Sequence, residues 1–130
     1  MTFKRTATAL LLGTFVAASC LPGMSFAKDK EFAWGAIAVD LSKPDRVPEY
    51  GLGGGKNEAE ANEAAIEYCV EAAGKKANCK VVATYQECGA YAASKKGGGF
   101  GINTTLKTAE AKAMSGCDDD GCKVVVSDCN

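Results

Sequence analysis

Seven cysteines are the residues of this 130-residue chain best suited to chemistry, and three of them, Cys117, Cys122 and Cys129, crowd into its closing stretch GCDDDGCKVVVSDCN. Thiols at that density serve as metal ligands, redox centres or covalent staples. A zinc cage calls for close pairs such as C-x-x-C, commonly with histidine, and a thioredoxin-like centre needs the same spacing. The chain has neither that spacing nor any histidine. Setting Cys20 aside in a leader segment leaves Cys69, Cys79, Cys88, Cys117, Cys122 and Cys129, and an even number in a small exported chain reads as a disulfide framework. No metal site and no cofactor is expected.

The remaining chemistry is sparse. Without histidine there is no Ser-His or Cys-His nucleophile pair, and a cysteine held in a disulfide cannot attack. Carboxylate chemistry is left. Asp40, Asp45 and Glu49 cluster in sequence, and a glycosidase needs two acids facing one cleft, but a solvated loop explains them equally well. Asp118, Asp119, Asp120 and Gly121 lack the spaced oxygens and distant glutamate of a calcium loop and read as a polar turn. GLGGGK invites comparison with a phosphate-binding loop, yet Tyr50 stands where the first glycine belongs and Asn57 follows Lys56 where Ser or Thr belongs. This segment and KKGGGFG are read as flexible glycine-rich connections.

The elements that must position these residues begin with a leader. MTFKRTATALLLGTFVAASCLPGMSFA carries Lys4 and Arg5, an apolar run too short to span a bilayer comfortably, and a small-x-small end at Ser25–Ala27, so residues 1–27 read as a signal peptide. Cys20 after Ala17-Ala18-Ser19 loosely resembles a lipoprotein site and leaves lipid anchoring as the alternative. Removing residues 1–27 from 130 leaves 103, one domain spanning 28–130. The formal charge moves from −1 to about −3, because Lys4 and Arg5 are lost and no acid is. Such a chain lacks the basic face expected of a nucleic-acid binder, and no stretch of the mature chain is long and apolar enough to cross a membrane.

The mature chain reads as a diverged duplication, with repeat one at about 33–88 and repeat two at about 89–130. WGAIAVD at Trp34 is echoed by CGAYAAS at Cys88, YGLGGG at Tyr50 by FGINTT at Phe100, AIEYC by AMSGC, and CKVV occurs twice. Each half reads strand, glycine-rich loop, helix, strand. Asn57 caps the first helix with Glu60 completing a capping box, and Thr105 takes the same place in the second. Ala61, Ala65, Ile66 and Cys69, then Ala109, Ala113, Met114 and Cys117, form the apolar stripes.

Six cysteines allow 15 pairings. Cys79 with Cys88 and Cys122 with Cys129 are disfavoured because each pair would sit at the two ends of one strand, beyond disulfide reach. If each helical cysteine ends its helix and the next opens a strand, Cys69 pairs with Cys79 and Cys117 with Cys122. Cys88 and Cys129 then tie the halves together. Chain entropy gives such links about 2–4 kcal/mol each, against a net domain stability of about 5–15 kcal/mol, so folding is expected to depend on oxidation.

These motifs together, from about Phe32 to Cys129, resemble the exported bacterial family catalogued as domain of unknown function 4189. The resemblance implies a small secreted or periplasmic domain and brings no catalytic residues.

The expected fold is α+β, two tandem β-loop-α-β pseudo-repeats with helices packed on a small sheet. If both halves are right-handed crossover units, the two glycine-rich loops share one rim, where Lys56, Lys95 and Lys96 offer charge and Tyr50 and Phe100 contact area. Packing at equivalent positions nevertheless favours a core role for both aromatics, as for Trp34. The expected function is a non-catalytic, disulfide-stabilised binding module acting on a protein or envelope component outside the cytoplasm. A small secreted carboxylate enzyme and a structural envelope protein are the alternatives.

Overall fold

Two continuous apolar runs make the centre of the molecule. In the computed structural model, which describes residues 31–130, the apolar run WGAIAVD forms β1 (Trp34–Asp40) and CGAYAA forms β4 (Cys88–Ala93). Both are central strands covered on both faces, which is what a short continuous apolar run without polar alternation implies. β1 is flanked by β2 (Tyr50–Gly55) and β3 (Cys79–Tyr85), and β4 by β5 (Gly98–Asn103) and β6 (Lys123–Cys129), all antiparallel. Helices α1 (Glu58–Ala73) and α2 (Leu106–Cys117) each pack on the sheet of their own repeat. The layers therefore run helix, sheet, sheet, helix. The leader and Cys20 lie outside the described residues.

The glycine-rich segments are strands, not loops, and this is the main departure from the sequence reading. Gly51, Gly53 and Gly55 on β2 and Gly99 and Gly101 on β5 alternate toward the helices. A methyl group at any of them would run into helix backbone, for Gly53 the carbonyl of Ala61 and the amide of Ala65, for Gly101 the carbonyl of Ala109. Glycine is used here for close backbone approach rather than for turning. The helices answer with Ala61, Ala65 and Cys69 and with Ala109, Ala113 and Cys117, spaced i, i+4, i+8 and buried against Ala36 and Ala38 or Ala90 and Ala92. Contact this close needs only a narrow stripe, so Ile66 and Met114, expected on it, are each 39% exposed.

Cap chemistry sets the helix starts. Asn57 Oδ1 accepts the Glu60 amide at 3.0 Å and Thr105 Oγ1 accepts that of Thr108 at 3.3 Å. Glu60 completes the box one residue early, accepting from the Lys56 amide at 2.9 Å rather than from that of Asn57. α1 runs a turn past Cys69 to Gly74, whose φ of 97° is a glycine conformation. Cys117 does end α2, at a left-handed Asp118 that opens the acidic turn.

All three expected disulfides are present, Cys69–Cys79 and Cys117–Cys122 joining helix to strand with Cα separations of 6.1 and 6.2 Å. Cys88–Cys129, at 4.0 Å, does not join the halves. Cys88 opens β4 and faces Cys129 across the β4–β6 ladder, so the bond lies wholly within the second sheet. The repeats are 34–85 and 88–129, and the ladders match in detail: a register shift follows Ile37 in one and Tyr91 in the other. Since Ile37 pairs with Leu52 and Tyr91 with Phe100, Phe100 corresponds to Leu52, and Tyr50 to Gly98. The equivalence of Tyr50 and Phe100 expected from the sequence is thus two residues out of register. Neither is core; they are 42% and 57% exposed, while Trp34 is half-buried against the α1–β1 cluster.

What joins the halves is Tyr85. The inner faces of both sheets share one apolar cluster of Ile37, Val39, Ala83, Tyr85, Tyr91 and Val126. The Tyr85 ring lies between Gly35 and Gly89, the same position in each central strand, and its hydroxyl donates to Asp128 Oδ2 at 2.7 Å. Burial and the adjacent Asp128 push this phenol far above its ordinary pKa, so it stays a donor. Tyr85→Phe is expected to lower stability by about 1–3 kcal/mol, through an orphaned acceptor, and Tyr85→Ala by about 3–5 kcal/mol, through a cavity at the joint. Urea unfolding monitored by circular dichroism measures both.

Candidate functional site

Two equivalent connections meet where the repeats join. Residues 41–49 link β1 to β2, and the tight Ser94–Gly97 turn links β4 to β5. Each short link makes a hairpin, and the strand that follows each helix returns antiparallel to the central strand, so neither repeat is the parallel crossover unit expected from the sequence. Between them lie two adjoining cavities of about 190 and 570 Å3, both lined by Arg46, Ala93, Ser94 and Lys95. The smaller adds Lys43, Lys96 and Tyr91; the larger adds Val47, Val124, Val125 and Lys123.

Charge is concentrated here against the trend of the chain. Five cations, Lys43, Arg46, Lys95, Lys96 and Lys123, line the cavities together with the acids Asp40 and Asp45, whereas the whole chain has a formal charge of −1. Acids collect elsewhere, notably Glu58, Glu60, Glu63, Glu67 and Glu71 along α1, which carries no basic residue. Tyr91, mostly buried with its hydroxyl end against Gly98, has its pKa raised by burial and stays protonated.

Both connections are pinned by a carboxylate. Asp40, 3% exposed, accepts the Ser42 amide at 2.9 Å, the Ser42 hydroxyl at 2.8 Å and the Asn78 amide at 2.8 Å. The Ser42 amide first, then its hydroxyl, hold this carboxyl below its ordinary value against the opposing effect of burial. In repeat two the chemistry is reversed. Ser94, just past the end of β4, takes the place of Asp40, and the acid, Asp119, stands on the turn opposite, where the Ser94 hydroxyl holds its carboxyl below the usual range. Ser94 Oγ also accepts the Lys96 amide at 3.0 Å, and Lys96 Nζ stands 3.8 Å from Asp119. That ion pair contributes little, because Lys96 is 83% exposed.

Of the residues expected on a rim, Lys95 and Lys96 line these cavities. Lys56 follows β2 at its far end, Tyr50 opens β2, and Phe100 lies on the exposed face of β5 beside Ile102; none of the three lines either cavity. Lys43, Arg46, Lys123 and Tyr91 were not singled out by sequence reasoning. The repeat alignment held the signal for two of them, because KPDR at Lys43 occupies the connection equivalent to SKKG at Ser94. Asp40 and Asp45 line cavities, but Asp40 has its oxygens engaged and Glu49 lines neither. Among the described residues no three His, Cys, Asp or Glu side chains come together as a metal site, and no helix is long and apolar enough to cross a membrane.

The model of a family described as Domain of unknown function (DUF4189) matches residues 34–129, which takes in every strand and helix of both repeats. No curated protein and no solved structure matches the chain.

A carboxyl with a lowered folded pKa stabilises the fold above its unfolded value, near 3.8 for Asp40, and that contribution is lost as pH falls through the folded value. Asp40→Asn is therefore expected to be less stable than wild type by about 1.5–3 kcal/mol at pH 7. The gap should hold down to about pH 5 and close progressively toward and below pH 3.8. Urea midpoints measured across that range give the difference directly.

Proposed function

We propose that this chain, which belongs to the DUF4189 family, is a non-catalytic binding module that acts outside the cytoplasm on a protein or envelope component through the cationic cleft between residues 41–49 and 94–97. The observation that carries this reading is the gathering of Lys43, Arg46, Lys95, Lys96 and Lys123 around two adjoining cavities in an otherwise acidic chain. The five cations outnumber the two acids of the lining, Asp40 and Asp45, and a cleft with a net excess of one sign focuses the field and raises the local concentration of an opposite partner. Connections held by Asp40 and Asp119 on a stapled scaffold preorganise such a cleft and reduce the entropy lost on binding. Three disulfides support export, since such bonds persist in oxidising compartments.

A carboxylate enzyme has less support. Asp40 accepts three hydrogen bonds from its own loops and serves as a structural group, which leaves Asp45 without a facing acid among the residues lining the cavities.

Pull-down from culture medium and envelope extracts with the oxidised protein tests the reading, using Arg46→Glu/Lys95→Glu as the comparison. Wild type is expected to retain a partner that the double variant loses, while both unfold at the same urea concentration. Equal recovery by the two proteins contradicts the assignment of the cleft.

A further inference from the structure

The two cavities differ in chemistry while sharing a wall. Around the smaller one stand Lys43, Arg46, Lys95 and Lys96 against a single acid, Asp40, whose oxygens already accept hydrogen bonds from Ser42 and Asn78, and Tyr91 completes the wall. In the larger one the apolar surface is supplied by Ala93, Val47, Val124 and Val125, with Arg46, Lys95 and Lys123 as its cations. Val47 is 73% exposed in the 41–49 connection, and Val124 is 39% exposed on β6. A valine that exposed beside an arginine gains from being covered, at about 25 cal/mol for each Å2 of apolar surface removed from water.

From this juxtaposition we propose that the cleft binds an amphipathic organic anion, a phosphate or carboxylate head carrying a short apolar chain. This inference rests on the proposed function and narrows its ligand. The head occupies the smaller cavity, where Arg46 presents a planar fork suited to two-point contact with anionic oxygens and the lysines add point charges. The chain lies along Val124 and Val125 under Val47. A volume of about 570 Å3 falls within the usual range of small-molecule sites, about 300–1,000 Å3. A bare inorganic anion would leave the valines uncovered, and a neutral chain would leave the cations unpaired.

Isothermal titration calorimetry and amide NMR shifts on the oxidised protein test this with n-octyl phosphate and octanoate below their micelle-forming concentrations, inorganic phosphate and n-octanol. Octyl phosphate is expected to bind at least tenfold more tightly than either phosphate or octanol, with shifts at Arg46, Ala93, Lys95 and Val124. Arg46→Glu/Lys95→Glu should weaken octyl phosphate at least tenfold. Val124→Asn, which removes apolar surface without adding charge, should weaken octyl phosphate and octanoate while leaving the affinity for phosphate unchanged. Equal affinity for octyl phosphate and phosphate, or octyl phosphate binding that survives the double charge reversal, overturns the proposal. If no amphiphile binds yet the charge-reversed variant loses its captured partner, this inference falls and the proposed function stands. If octyl phosphate binds as expected and partner recovery is unchanged, the inference stands and the macromolecular reading falls.

Discussion

Helix backbone resting directly on strand backbone is the contact from which the rest of this architecture follows. It exists because β2 and β5 present glycines to the helices and because each helix presents two alanines and one cysteine in return. No large side chain separates the layers, so each helix is held by many close dispersion contacts, individually weak and large in sum. The same closeness brings Cys69 and Cys117 within bonding distance of Cys79 and Cys122. In the chain-entropy account these links contribute about 3 and 2 kcal/mol, and the 41-residue Cys88–Cys129 link about 4 kcal/mol.

Packing a helix on one face of each small sheet leaves the other face to be covered, and the repeats solve this by placing their sheets back to back. Ile37 and Val39 from one and Tyr91 and Val126 from the other fill the space between, with Tyr85 as the largest wedge. That arrangement has a functional consequence. It brings together the equivalent 41–49 and 94–97 connections, and the cleft between them belongs to neither repeat alone. Asp40 and Asp119 then hold the two connections from opposite partners of the same kind of carboxylate contact, which is how a duplicated frame comes to carry an asymmetric site.

Much of this was legible because it depends on local chemistry. Asn57 and Thr105 announce helix starts through their own side chains, the alanine stripes announce the buried faces, and strand reach together with the placement of a cysteine on each helix suggests the observed pairing, although Cys88–Cys129 closes one sheet and does not tie the halves. The glycine segments were misread for a physical reason. Glycine in a sequence signals freedom to turn, and nothing in GLGGG distinguishes that use from close approach to a helix that lies elsewhere in the chain. Reading β2 and β5 as loops then misaligned Tyr50 with Phe100, buried two exposed aromatics, and placed the rim beside Lys56. The cleft depends on how two sheets stack, a long-range relation that periodicity within one element does not encode.

The direct test of the central claim is the stability of three glycine substitutions measured by urea unfolding. An added methyl meets helix backbone at Gly53 and Gly101 but nothing within 4 Å at Gly97. Gly53→Ala and Gly101→Ala should each cost about 1–3 kcal/mol or more, because helix backbone has to move, whereas Gly97→Ala should fall within about 0.5 kcal/mol of wild type. If the first two leave stability unchanged, or raise it as relief of loop entropy does, by about 0.4–1 kcal/mol, the glycines are not the seat of the helices and the account is wrong.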